Sequence, residues 1–245
     1  MLLTTLSIYA QDYQRGAYDC DSDTCYLREL YLDYKAKVRS DHELGVEMAN
    51  HYVNFAKEKN LASVSGRGYY MQGDAKAMVQ EFAASKLLVE KAIALAKAYN
   101  DVILHADCLN LLGNSYSDLG DYDKAKEYYT ICLTISEESG YKKGISNGWT
   151  NIGIAEYFQG NHALAIANFN KSIPILEEIR DSTNLNIAYD LWHRECGRVF
   201  AHRFQDTNDP FNVGDIRHLL VKIGGVTALR QPRCAGRRKS EDLMR

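Results

Sequence analysis

The chain contains few residues that interrupt helices and little net charge. Its 245 residues include 3 prolines, at Pro174, Pro210 and Pro232. Because proline lacks a backbone N–H and clashes with the preceding helical turn, its absence before Pro174 permits long helices from Met1 to Ile173. The net charge is −3 at pH 7. Such a small charge provides no overall attraction to nucleic acid or to acidic membranes.

Long apolar runs are also missing, because no stretch approaches the roughly 20 apolar residues that span a bilayer. Residues 1–10 are apolar, uncharged and followed by Gln11-Asp12, like the end of a secretory signal without its basic region. We interpret them as a truncated signal peptide, followed by an N-terminal loop over 11–22; an N-terminal helical turn is the alternative. The protein is therefore expected to be periplasmic or exported if the signal is real, and cytoplasmic otherwise.

The cysteines give no clear disulfide framework. Cys108 and Cys132 fall where a helical pattern requires small buried residues, which predicts core thiols. Cys20 and Cys25 bracket an acidic stretch that we interpret as a surface loop, and they could pair in an oxidising compartment; the sequence leaves the pairing open. This loop has too few ligands for a metal ion.

The main signal is an internal repeat, which we expect to define the architecture. One fixed shift aligns residues 106–141 with 146–181 without a gap, and the same step backwards gives a weaker unit over 62–101. A degenerate unit covers 23–60, and another unit begins at 184. The best-matched positions pair Gly113 with Gly153, Gly120 with Gly160, Ala125 with Ala165, and Tyr129 with Phe169.

Each unit is predicted to contain two helices that pack against each other. Leu109, Leu112 and Tyr116 recur at helical spacing, Gly120 interrupts the pattern, and a second helix follows over 122–138. Small residues such as Gly113 let the paired helices approach closely, with Tyr129 filling the space beside them. Since neither helix can bury its apolar face alone, we expect an all-α solenoid of stacked antiparallel helix pairs over 23–191.

Residues 112–129 and 152–169 resemble tetratricopeptide repeats of the longer, 40-residue subclass. The resemblance covers Gly66 to Leu191, with a weaker extension back to Asp23. The run from Gly144 to Gly153 is similar to runs in bacterial signalling proteins that carry such repeats ahead of a cyclase or histidine-kinase domain. Glu156 departs from the aromatic residue that the family prefers, and Pro174 is expected to bend or weaken its helix.

Residues 192–245 depart from the repeat, and we interpret them as an irregular basic tail. Nucleic-acid binding by this tail is not expected, because it lacks interleaved aromatic residues. The codons for Leu191 to Cys196, read one base later, can encode Gly-Ile-Gly-Asn-Val after the leucine, which suits a further repeat. We therefore hypothesise a frameshift near Leu191, with a C-terminal output domain lost. DNA sequencing tests this hypothesis, since an intact repeat in the shifted frame supports it and the lack of one refutes it.

No pattern in the sequence indicates catalysis. A phosphate-binding loop, a His-Glu-x-x-His motif and a Cys-x-x-Cys pair are missing, and the seven histidines occur without a second ligand at helical spacing. We therefore predict no enzymatic activity, no cofactor and no metal. The leading hypothesis is a scaffold that binds a protein or peptide. The alternative is a sensor or regulatory fragment of a signalling enzyme.

The resemblance implies that the first helix of each unit lines a concave groove. Arg67 is the one groove residue suited to gripping a terminal carboxylate, so we do not expect the partner of chaperone-binding members. Asn110 and Asn114, one turn apart, are predicted to hydrogen-bond an extended peptide backbone. The cluster of Ile154, Tyr157 and Phe158 either contacts a peptide or packs on the next repeat. The full set of predicted groove residues is Arg67, Tyr70, Asp74, Asp107, Asn110, Asn114, Asn147, Thr150, Ile154, Tyr157 and Phe158.

Overall fold

The computed structural model describes the backbone of residues 20–205 and the side chains in that range except those of 193 and 195–205. This part of the chain folds into nine α-helices, stacked in antiparallel pairs. The predicted all-α solenoid is therefore confirmed. The helices are α1 (Asp23–Lys37), α2 (His42–Glu58), α3 (Ala62–Met78), α4 (Phe82–Ala98), α5 (Val102–Asp118), α6 (Tyr122–Ser139), α7 (Lys142–Phe158), α8 (His162–Ile179) and α9 (Ser182–Gln205).

A left-handed residue marks every helix junction from α2 to α9. These residues recur at a constant interval along the chain, with φ between 54° and 79°. At each junction the following N–H donates to the carbonyl five residues earlier, as Asp121 N–H does to Tyr116 O at 2.9 Å. This bond satisfies carbonyls that a helix end leaves unpaired. The left-handed residues are Asn60, Gln80, Asn100, Gly120, Gly140, Gly160 and Arg180.

The two helices of a repeat pack through a glycine on the first helix. A Cβ placed on Gly153 of α7 would lie 2.7 Å from Phe169 Cε1 on α8, and one on Gly113 of α5 would overlap the Tyr129 ring on α6. Phe169 and Tyr129 are both buried. The expected close approach at these glycines is confirmed, since even a Cβ at either position would overlap the aromatic ring.

Two expectations about single residues are also settled. Helix α8 continues through Pro174 to Ile179, and Pro174 is exposed, so its ring does not disturb the buried face. Cys108 and Cys132 are buried free thiols, as predicted. Cys20 and Cys25, whose pairing the sequence left open, are joined by a disulfide.

The irregular tail expected from residue 192 does not begin there. Helix α9 runs to Gln205 without interruption, because no proline or junction residue stops it after Asp181. The interpretation of residues 192–205 as irregular is therefore wrong. The predicted signal segment 1–10, most of the N-terminal loop and residues 206–245 lie outside the described residues, and the exact division into repeats stays a prediction.

Losing a glycine at one junction and gaining one at another should change the free energy of unfolding in opposite directions. Gly120→Ala should lower the free energy of unfolding by about 1 kcal/mol, because an alanine at φ 79° is strained although nothing lies within 4 Å of its Cβ. Gln80→Gly should raise the free energy of unfolding by up to about 1 kcal/mol, because Gln80 has a φ of 62°, which glycine adopts without strain. Urea unfolding followed by circular dichroism measures both changes.

The control for these two variants is Glu127→Gly on the exposed face of α6, which should lose about 1 kcal/mol, like glycine in any helix interior. If Gln80→Gly loses as much stability as Glu127→Gly, the junction does not require a left-handed residue.

Candidate functional site

The first helices of successive repeats carry a row of asparagines that touch one another. Asn151 Nδ2 on α7 donates to Asn110 Oδ1 on α5 at 2.8 Å and to Asn114 Oδ1 at 3.3 Å. Asn184 Nδ2 on α9 lies 3.5 Å from Asn147 Oδ1 on α7. These bonds cross from one repeat to the next, so the first helices lie side by side. We call Asn110, Asn114, Asn147, Asn151 and Asn184 the amide row.

A charged cluster lies on the first helices nearer the N-terminus of the chain, from α1 to the start of α7. The Arg67 guanidinium on α3 donates to Asp101 Oδ2 at 2.9 Å and lies 5.0 Å from the Tyr31 ring centroid on α1. Arg67 is therefore already engaged within the protein. We call Tyr31, Tyr34, Lys35, Arg67, Tyr70, Asp74, Asp107, Tyr141 and Lys143 the charged end.

Two aspartates of the charged end are held by tyrosine hydroxyls. Tyr34 O–H donates to Asp74 Oδ2 at 2.9 Å, and Tyr141 O–H donates to Asp107 Oδ1 at 3.1 Å. Burial raises the pKa of both carboxyls above the usual aspartate value, although these hydroxyls and nearby cations oppose the shift. The carboxylates are thus desolvated more than their surroundings compensate.

Charged side chains on separate first helices also influence one another. Burial, and then the positive charge of Lys143, lowers the pKa of Lys35, although Lys35 lies on α1 and Lys143 on α7. Asp107 on α5 interacts with both lysines. These charged groups therefore lie close enough to affect one another, although α1, α5 and α7 are far apart in the chain. That the amide row and the charged end line one groove stays a prediction, and Tyr31 and Tyr34 lie in the buried core beneath the charged end.

The predicted aromatic cluster divides between two environments. Ile154 and Tyr157 pack against the core formed by α8 and α9. Phe158 remains 58% exposed, with its ring stacked 5.5 Å from that of Tyr122. Phe158 is therefore the member of the cluster that offers apolar surface to a ligand.

One predicted groove residue is placed incorrectly. Thr150 is 4% exposed, and its hydroxyl bonds to Ser172 Oγ on α8. It lies between the two helices of its own repeat and cannot line the groove. The prediction failed there because Thr150 occupies the turn of α7 that faces α8, where Gly153 also lies.

Sequence reasoning missed the contribution of α1. Tyr34 lies one full repeat before Asp74, to which it bonds, so one further backward step would have identified it. Tyr31 and Lys35 follow from the same face of that helix. Tyr141 was missed because it belongs to a helix junction rather than to the predicted stripe.

Glu156, the departure from the expected aromatic residue, forms part of an ion pair between repeats. Glu156 is 8% exposed, and its carboxylate accepts from Lys126 Nζ at 3.1 Å and from Asn161 Nδ2 at 2.6 Å. Lys126 lies on α6 and Glu156 on α7, so the pair joins adjacent repeats. The unusual residue is thus satisfied where it lies.

Metal and membrane sites were sought in the part of the chain that the structure describes. Within residues 20–205, no three His, Cys, Asp or Glu side chains converge as metal ligands would. None of the helices there combines the length and apolar composition needed to cross a bilayer.

A family model described as tetratricopeptide repeat matches residues 102–178, which span α5 to α8. The fold also resembles the crystal structure of BtubC (BKLC) from P. vanneervenii, with a TM-score of 0.50, 16% identity and coverage of 84% of this chain and 83% of that one. A second likeness is the crystal structure of MamA, with a TM-score of 0.42, 24% identity and coverage of 71% and 97%. No curated protein sequence matches. Residues 102–178 thus match the model of a repeat class that is typically non-catalytic and generally serves protein–protein interaction.

The raised pKa of Asp107 predicts that its ionised carboxylate lowers the free energy of unfolding, by an amount that depends on pH. Below the ordinary aspartate pKa, near 4, the carboxyl is protonated in both folded and unfolded states. As the pH rises through the window up to the folded pKa, the unfolded state loses its proton first, and stability falls. Asp107→Asn should therefore unfold at a higher urea concentration than the wild type at pH 7, and the difference should shrink toward pH 4.

The control is Asp190→Asn, which removes one exposed carboxylate from α9. Equal pH dependence in the wild type and Asp107→Asn, measured by urea unfolding between pH 4 and 7, would show that Asp107 carries no penalty.

Proposed function

We propose that this protein is a non-enzymatic scaffold that binds an extended protein or peptide segment in the groove formed by the amide row and the charged end. The observation that supports this most directly is the continuous row of asparagines on α5, α7 and α9. The alternative role, as the regulatory part of a signalling enzyme, stays a sequence prediction.

Asparagine suits the recognition of a backbone rather than of one side chain. Each amide has two N–H donors and one acceptor oxygen. Asn110 and Asn147 accept bonds within the row through Oδ1, while their Nδ2 groups donate to no other described residue. An extended segment offers carbonyls and N–H groups at regular intervals and can use such donors.

The remaining groove residues supply selectivity. Phe158 provides exposed apolar surface beside the amide row, and the charged end provides both acidic and basic groups. The desolvated state of Asp74 and Asp107 costs stability in the free protein, as their raised pKa values indicate. Polar groups kept at such a cost favour a role in binding over a role in folding.

A photo-crosslinking experiment tests the location of binding. p-Benzoylphenylalanine is placed at Phe158 in the groove or at Leu87 on α4, which is 63% exposed on the second-helix row. After irradiation with a peptide library or cell extract, we expect sequence-specific crosslinked peptides from position 158. Equal yields of the same peptides from position 87 would contradict binding in the groove.

A peptide recovered in this way then tests the amide row. Asn110→Ala combined with Asn147→Ala should weaken its binding about tenfold, since each neutral hydrogen bond contributes about 0.5–1.5 kcal/mol. Asn54→Ala, at an exposed position on α2, is the matched control and should have no effect. Calorimetry measures the affinities, and unchanged binding by the double variant would refute the role of the row.

A further inference from the structure

The start of α1 is held by the Cys20–Cys25 disulfide. Cys25 lies in the first turn of α1, where its N–H donates to Ser22 Oγ at 3.2 Å. Cys20 precedes the helix and packs against the core of the first repeat, which includes Tyr26, Leu30 and Met48. The disulfide therefore joins the segment before α1 to both the helix and its core.

Helix α1 is also the element that carries one wall of the charged end. The Tyr34 hydroxyl shares its one hydrogen between Asp74 Oδ2 and Met71 O, both at 2.9 Å, and the Tyr31 ring contacts both Arg67 and Tyr70. As an end helix, α1 packs chiefly on α2 and α3 and has no preceding helix in the described chain. Loosening α1 thus removes the contacts of Tyr31 and Tyr34 with Arg67, Tyr70 and Asp74 of the charged end.

We propose that the Cys20–Cys25 disulfide is a redox-controlled latch, which holds α1 in place when oxidised and loosens it when reduced by a low-molecular-weight thiol. The effect on α1 follows from the disulfide alone, whereas an effect on binding rests on the proposed function. Both cysteines are partly exposed and flanked by exposed Asp21 and Thr24, so a small thiol reaches them.

The reduction balances with two thiols as reductant. A thiolate attacks Cys20 Sγ, the bond between the two sulfurs breaks, and Cys25 leaves as a thiolate that takes a proton. The helix N-terminus and Arg28, whose Nη2 lies 4.0 Å from Cys25 Sγ, stabilise the departing charge. A second thiol then attacks the mixed disulfide, which frees Cys20 and releases the reductant as its own disulfide.

Hydrogen exchange with mass spectrometry tests the latch without any groove ligand. The full chain is used with Cys196→Ser and Cys234→Ser, so that Cys20 and Cys25 are the reactive pair beside the two buried thiols. Adding dithiothreitol should speed the exchange of amides in residues 23–37 about tenfold or more, while residues 102–139 remain unchanged. A further Cys20→Ser and Cys25→Ser variant should exchange rapidly in α1 with or without dithiothreitol.

The proposal is overturned if α1 exchanges equally in both redox states, if the whole chain loosens on reduction, or if mass mapping finds Cys20 and Cys25 unlinked under air. These readouts differ from those for groove binding. A latch that works in a protein whose groove binds no peptide would refute the proposed function and leave the redox inference intact.

Discussion

The left-handed residue at each helix junction is the constraint on which the rest of the structure depends. Because it recurs at a constant interval from Asn60 to Arg180, each helix from α3 to α8 begins and ends at an equivalent position. Side chains one repeat apart in the chain then lie side by side on neighbouring first helices. Without that regular interval, Asn151 would not reach Asn110, and Lys143 would not interact with Lys35.

The close packing at Gly113 and Gly153 maintains this arrangement within each pair. With no side chain at these positions of the first helix, the aromatic ring of the second helix fills the interface within the pair. Packing and recognition are thus divided between different faces of one helix. Thr150 and Ile154, both on α7, show the division: the first bonds to α8, while the second lies on the row that continues Asp74 and Asn114.

The sequence was sufficient for the fold because its strongest signals are local and periodic. The glycine and aromatic pairs, which recur once per repeat, indicate both the helix pairs and their stacking. The groove was harder to predict, because burial depends on the angle of each side chain around its helix as well as on its place in the repeat. Thr150 was misplaced for this reason, and Tyr31 and Lys35 were missed because the first repeat is degenerate. The state of Cys20 and Cys25 was equally undetermined, since pairing depends on how the residues before α1 approach the helix.

The positions that pack the helices together keep similar residues from repeat to repeat, whereas other positions on the first helices vary. The varying positions are those at which specificity for a partner can arise. At the packing positions the residue type persists or changes conservatively, as with Gly113 and Gly153 or Tyr129 and Phe169. Along the groove, successive steps of one repeat from Tyr34 pass through Asp74, Asn114 and Ile154, which differ in charge, size and polarity. These four positions occupy equivalent places on their helices, yet their side chains have different surroundings. Among them, Tyr34 is buried and Ile154 packs on the core of α8 and α9, so a partner bound in the proposed groove is selected at this position by Asp74 and Asn114, a carboxylate and an amide one repeat apart.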